Sequence, residues 1–149
     1  MSNWTWSRFA ALAVDDLYDL LALRSRVFVV EQNCAFLDPD GADRESAHLL
    51  WRDDAGVLVA GLRVVDPGIK YAEPSIGRVV TAPERRGTGL GRTLMAEGLR
   101  RCVETWPGQG VRIGAQARLE GFYREFGFVA VCEGYLEDGI PHLIMLRSA

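Results

Sequence analysis

Residues 75–103 constrain this chain more than any other stretch, because they read as a strand, a glycine loop and a helix in immediate succession. The run Ser75-Ile76-Gly77-Arg78-Val79-Val80-Thr81 has the β-branched content of a strand. It is followed by the loop Arg85-Arg86-Gly87-Thr88-Gly89-Leu90-Gly91-Arg92. Leu90, Leu94, Met95, Gly98, Leu99, Cys102 and Val103 then recur at three- and four-residue spacings, as on one face of a helix. Glycines let a backbone turn sharply and present bare N–H groups, and a helix start adds unpaired donors with a partial positive charge. The unit predicts a phosphate cradle. An exposed helix dipole contributes only about 0.3–1 kcal/mol, so several groups must converge, and Arg85, Arg86 and Arg92 add full charges.

Spacing narrows the ligand. A nucleoside triphosphate loop needs Lys and then Ser or Thr after its last glycine, whereas this loop ends Gly91-Arg92-Thr93 and the only lysine is Lys70. A dinucleotide fingerprint counted from Gly87 needs a sixth-position glycine and meets Arg92 instead. What the loop does carry is Arg86, Gly89 and Gly91. Downstream, residues 111–116 read as another strand, and residues 117–128 as a short helix that holds Phe122-Tyr123 and ends at Phe126-Gly127-Phe128.

These two segments, in this order, resemble the two CoA-binding segments of the GNAT acetyltransferase superfamily. Arg24 to Cys34, Asp38-Pro39-Asp40-Gly41 and Glu137-Asp138-Gly139-Ile140-Pro141-His142 resemble its ElaA-type branch, so the similarity covers nearly the whole chain. The resemblance implies an α/β (α+β) fold: a central, mixed but mostly antiparallel twisted sheet flanked by helices, with splayed central strands holding CoA. It implies acetyl-CoA as acyl donor, no metal, and an amine of a small molecule or peptide as acceptor. The cofactor residues it implies are Val79, Val80 and Thr81 on the strand, then Arg86, Gly87, Thr88, Gly89, Leu90, Gly91 and Arg92 in the loop, with Phe122. Backbone donors near Val79, Val80 and Thr81 would hold the thioester oxygen, and Tyr123 would protonate the departing thiolate.

Composition agrees with one domain over residues 1–149. A chain of 149 residues with 48% hydrophobic content can bury about two-thirds of its unfolded surface. A net charge of −3 leaves no basic footprint for nucleic acid. Cys34, Cys102 and Cys132 are widely spaced and odd in number, which argues against a disulfide framework and a zinc site and for reduced thiols. No charged leader followed by an apolar run, and no membrane-length apolar stretch, is present, so a cytoplasmic protein is expected. A homodimer stays open.

Elsewhere, residues 4–9 alternate like an edge strand and residues 14–27 carry helix-spaced leucines. Residues 33–46 read as a loop, 47–52 and 57–65 as adjacent strands joined by Asp53-Asp54-Ala55-Gly56, and 128–135 and 141–146 as closing strands. The four tryptophans, Trp4, Trp6, Trp51 and Trp106, read as packing. Aligning Gly41 with the glycine of a calcium loop puts Phe36 and Ala47 at essential ligand positions, so the acidic run 38–43 reads instead as a solvated turn whose charge could attract a cationic amine.

The remaining candidates are a base and an acceptor site. Glu31, at the end of an apolar helix, reads as a general base, an acceptor-binding carboxylate, or simply a solvated or capping residue, and Gln32 has the same standing. His48 and His142 both sit beside strands, where packing is the usual role, and the branch-like Gly-Ile-Pro-His run favours His142 as the functional one. Two other readings keep the cradle: a non-catalytic CoA-sensing module, and acyl-homoserine-lactone synthesis, for which the chain is short. Tyr123 favours an enzyme, because holding a cofactor requires no acid beside its thiol.

Overall fold

The computed structural model describes residues 3–149. Eleven main elements follow the chain: β1 (Trp4–Arg8), α1 (Val14–Arg24), β2 (Ser46–Arg52), β3 (Leu58–Val65), β4 (Ser75–Thr81), α2 (Leu90–Thr105), β5 (Val111–Gln116), α3 (Glu120–Arg124), β6 (Val129–Ala130), β7 (Tyr135–Glu137) and β8 (Ile140–Arg147). Antiparallel ladders join β1, β2, β3 and β4 in chain order, and a second sheet has the order β5-β8-β6 with β7 also on β8. One backbone bond, from Arg112 N–H to Pro74 O at 3.1 Å, ties the start of β5 to the start of β4. No ladder continues it among the described residues. The two strands therefore begin together and part toward Thr81 and Gln116, which is the expected splay in a mostly antiparallel sheet flanked by helices.

Helices cover both faces of β3, which is buried along its whole length. Leu20, Leu23 and Val27 pack with Leu50, Val59 and Val80 on one side. Leu94, Met95 and Leu99 of α2 meet Leu49, Leu62 and Ile76 on the other, in a core that extends through Ile113, Tyr123, Phe128 and Met145. Two glycines set how close the helices come. A Cβ on Gly61 would lie 2.8 Å from Leu20 Cδ1, and one on Gly98 would lie 2.8 Å from Leu62 Cδ2. The four tryptophans are half-buried against this core, as their sequence positions suggest.

Three sequence expectations need correction. The first helix does not stop at residue 27 but continues as a π-helical turn over Ser25–Glu31, with Gln32 N–H bonded to Val27 O at 3.2 Å and Cys34 N–H to Val29 O at 3.1 Å. The closing strand expected over 128–135 is only β6, two residues long, before the chain leaves the sheet and re-enters it as β7. The acidic run 38–43 is not a solvated turn. Asp38 and Asp43 are buried, and so are Arg24 of α1 and Arg63 of β3.

Those residues form a neutral network of three arginines and three aspartates. Arg24 bonds Asp38 at 2.8 Å and Asp43 at 2.8 Å, Arg63 bonds Asp40 at 2.7 Å and Asp43 at 3.0 Å, and Arg78 pairs with Asp38 at 2.8 Å. Burial without such partners would be prohibitive for ions. The hydrogen bonds from Arg63 hold the Asp40 carboxyl well below the usual range. For Asp43, burial pushes upward but the bonds from Arg24 and Arg63 outweigh it, so its carboxyl is also held low. His48 Nε2 lies 2.9 Å from the Asp43 carbonyl and donates to it, while burial lowers its basicity.

Removing one partner from a buried network leaves uncompensated charge, so Asp43→Asn is expected to lower unfolding free energy by about 3–5 kcal/mol at pH 7. Depressed carboxyls contribute stability above the ordinary aspartate pKa of about 3.9 and lose it as pH falls through their folded values. Urea unfolding of both proteins should therefore show the gap narrowing below about pH 4. A gap unchanged down to about pH 2 would remove Asp43 as a titrating member of the network.

Candidate active site

The divergence of β4 and β5 opens a cavity of about 690 Å³. β4 carries a bulge where it lines this space. Arg63 pairs with Gly77 and Gly61 with Val80, so the single residue Leu62 faces both Arg78 and Val79. Arg78 takes a φ of 49°, a left-handed conformation rare for a non-glycine residue. Its guanidinium is held by Asp38 and lies 5.7 Å from the centre of the Phe36 ring. The ion network therefore pins the bulged residue of β4.

The π-helical turn supplies a wall of the cavity. Its wider turn brings Val27, Phe28, Glu31 and Gln32 to the same side, all four lining the space. The β7–β8 hairpin adds Glu137, Asp138 and His142 to the lining, and Cys34, just after the π-helical turn, meets the Asp138 carbonyl at 3.5 Å. Val79, Val80 and Thr81 line the strand side and Tyr123 closes the base.

A smaller cavity of about 250 Å³ adjoins it over the glycine loop, and Thr81 and Arg86 line both. Gly87 and Gly89 have φ of 77° and 81°, which a side chain would strain. Gly89 is the N-cap of α2 with no side-chain cap, so the first N–H groups of the helix have no side-chain acceptor. A Cβ on Gly91 would meet nothing within 4 Å, and the residue lines this opening with Leu90, Arg92 and Phe122. An uncapped helix start, bare glycines and arginines form a setting that a diphosphate fits. Thr88 lines neither cavity, its hydroxyl donating to the Arg85 carbonyl at 2.5 Å.

Every arginine of the loop already has a carboxylate partner. Arg85 reaches Asp53 at 2.6 Å, Arg92 reaches Glu125 at 3.2 Å, and Arg86 forms a two-pronged pair with Glu31. The Arg86 fork holds the Glu31 carboxyl below its ordinary range. Sequence spacing carries no signal for these pairings, because their members lie 32 to 55 residues apart.

Tyr123 is locked by aromatic contacts to Phe122 at 5.2 Å and Phe128 at 6.0 Å between ring centres. Burial pushes its hydroxyl up to about 12. His142 lies at a 31° tilt to the Tyr135 ring, 5.7 Å between centres, with Nδ1 2.7 Å from the Ile140 carbonyl and Nε2 3.4 Å from Glu137. A carbonyl only accepts, so Nδ1 carries the hydrogen and Nε2 keeps its lone pair in the neutral ring. Tyr123, His142, Glu31, Arg86 and the Val79–Thr81 edge thus share one cavity, and the rest of the glycine loop opens onto its neighbour. Sequence reading passed over Arg63, whose one visible signal is a lone charge within the apolar run of β3, and over Gln116 and Lys70 on the walls.

Comparison with known proteins agrees with this architecture. The "Acetyltransferase (GNAT) domain" family profile matches residues 38–148. The chain is 43% identical to Escherichia coli ElaA over 99% of its own length and 97% of that protein, and 43% identical to a UPF0039 protein of Synechocystis over 97% and 94%. The ElaA crystal structure superposes with a TM-score of 0.91 at 41% identity, covering 99% of this chain and 100% of the other. An acyl-CoA N-acyltransferase structure from Pseudomonas aeruginosa gives 0.91 at 44% identity, covering 97% and 99%. With splayed strands, an uncapped glycine loop and relatives matched almost end to end, the chain belongs to the GNAT acetyltransferase family, beside the ElaA and UPF0039 proteins.

Proposed function

We propose that this chain is an acetyl-CoA-dependent N-acyltransferase acting on an amine of a small molecule or peptide. The observation that carries the reading is the joined cleft, with an anion cradle at one end and Tyr123 buried at the wall of the other. Acetyl-CoA would supply the thioester acyl group. Gly87, Gly89, Leu90, Gly91 and Arg92, with Arg86, would hold its diphosphate, and the β4 edge at Val79, Val80 and Thr81 would offer N–H groups to the acyl oxygen.

Activating the amine is the larger demand. An alkylamine of pKa about 10.4 is neutral only about four parts in ten thousand at pH 7, a deficit of about 4.6 kcal/mol. Of the two candidate bases, His142 is the better suited, because it lines the cavity, its Nδ1–H is held by the Ile140 carbonyl so that Nε2 is the nitrogen left to take a proton, and Glu137 stands 3.4 Å away to stabilise the imidazolium. Glu31 is the weaker base, since Arg86 lowers its proton affinity. His142 would take the ammonium proton, the neutral nitrogen would bond to the acyl carbon, the carbon–sulfur bond would break as Tyr123 gives its hydrogen to the sulfur, and the second proton lost by the nitrogen would restore the Tyr123 phenol through solvent.

A phenol raised to about 12 is a weak acid toward an exposed thiolate of pKa about 8.5. Burial of the site narrows the mismatch. Desolvation penalises any thiolate, and Cys102, a buried thiol of this chain, is pushed up to about 12 as well. A thiolate expelled beside Tyr123 would meet a smaller penalty of the same sign, which brings donor and acceptor closer.

The direct test is thiol release by purified protein with acetyl-CoA and a panel of amines, against a no-acceptor control. At least one amine is expected to give release above the control; none doing so would favour a CoA-binding module. In thermal unfolding, acetyl-CoA and CoA should raise the midpoint while ATP and NAD do so much less. Equal shifts for all four would count against the cradle. Tyr123→Phe keeps the ring packing and removes the donor, so turnover should fall about ten- to thirtyfold, the equivalent of up to about 2 kcal/mol, with little change in acetyl-CoA affinity. Unchanged turnover under chemistry-limited conditions would remove Tyr123 as the acid.

A further inference from the structure

One ion pair spans the two halves of the cleft. Arg86 lines both cavities and Glu31 lines only the larger. The guanidinium donates through both terminal nitrogens, NH1 to Glu31 Oε2 at 2.8 Å and NH2 to Oε1, so its end-on fork is fully engaged. Both side chains are accessible, at 48% and 38% exposure, so the pair can open without disturbing the core. Its neighbours are fixed differently. Arg26 and Glu84 form a second fork with the charges reversed, lacing the π-helical turn to the segment before the loop. Arg85 and Arg92 take carboxylates that line neither cavity. Arg86 is thus the one loop cation whose counter-ion faces the acceptor half.

We propose that Glu31 is an exchangeable counter-ion of Arg86, given up when a diphosphate enters the cradle, so that filling the cofactor half uncovers a carboxylate in the acceptor half. This rests on the reading of the glycine loop as a CoA site. A diphosphate and a carboxylate compete for the same planar fork, and the diphosphate brings more charge and the N–H groups at the start of α2. An exposed fork is weak enough to be exchanged rather than kept. Once released, Glu31 is an anion lining the same cavity as Glu137 and Asp138, where a cationic amine would arrive. Acyl donor and amine then favour each other's binding, and linkage makes the coupling reciprocal. Glu31 is a positioning residue in this scheme, acting on the cofactor through Arg86.

Isothermal titration of CoA into the full chain tests the exchange with four variants, each first checked for parental thermal unfolding. Glu31→Gln removes the competitor and should tighten CoA binding about two- to fivefold. Arg86→Gln should weaken it, and adding Glu31→Gln to that background should have no further effect, because no fork remains to be released. Glu84→Gln deletes the same charge close by without freeing a loop arginine and should leave affinity at the parental value. The exchange is overturned if Glu31→Gln binds CoA no tighter than the parent, if Glu84→Gln tightens it equally, or if the gain survives in the Arg86→Gln background. A parent that does not bind CoA at all would instead overturn the cofactor reading, and the exchange with it.

Discussion

Among the described residues, the hydrogen bond between Arg112 and Pro74 is the one backbone bond that joins β4 to β5, and the site exists because pairing stops there. Strand edges normally seek partners. Where they stop pairing, β4 carries a bulge at Arg78, an extra residue that breaks its register with β3. A left-handed arginine does not stay in place unaided. Arg78 is held by Asp38, Asp38 by Arg24, and Arg63 closes the ring through Asp40 and Asp43. Buried ions contribute little net stability against apolar replacements, so their value here lies in geometry: they tie α1, β3 and the loop 36–45 to one point on β4.

The two ends of the cleft are built on different physics. The cradle is backbone chemistry, and its glycines matter for what they lack. The acceptor half is side-chain chemistry, drawn from the π-helical turn, the ion network and the β7–β8 hairpin. Each half is placed by a different helix. The uncapped end of α2 sits under the cradle, whereas the extension of α1 forms the acceptor wall, and Gly98 and Gly61 let these helices press on opposite faces of β3.

This division explains what was legible in the sequence. The cradle was legible because it is local: Arg86, Gly89 and Gly91 lie within a few residues, and the helix they open has a plain period. Strands β2, β3, β4 and β5 were legible for the same reason. The acceptor half was not, because its members meet only in space. Nothing local distinguishes Asp38, Asp40 and Asp43 from a solvated turn until Arg24, Arg63 and Arg78 arrive from three other elements. Glu31 could be singled out but its fork with Arg86 could not, and the short β6 was overestimated because Val129, Ala130 and Val131 have strand character while the next three residues leave the sheet.

The π-helical turn between residues 25 and 31 is in effect one residue more than an α-helix would need to cover the same path. Such an insertion changes angular position more than length. Everything N-terminal to it remains seated on β3, while the residues after it rotate around the axis, which decides whether Glu31 or one of its neighbours looks into the cleft. Adding or removing a single residue in this turn would therefore re-face the acceptor wall without moving the glycine loop. Changes of register here would thus reshape one half of the cleft independently of the other.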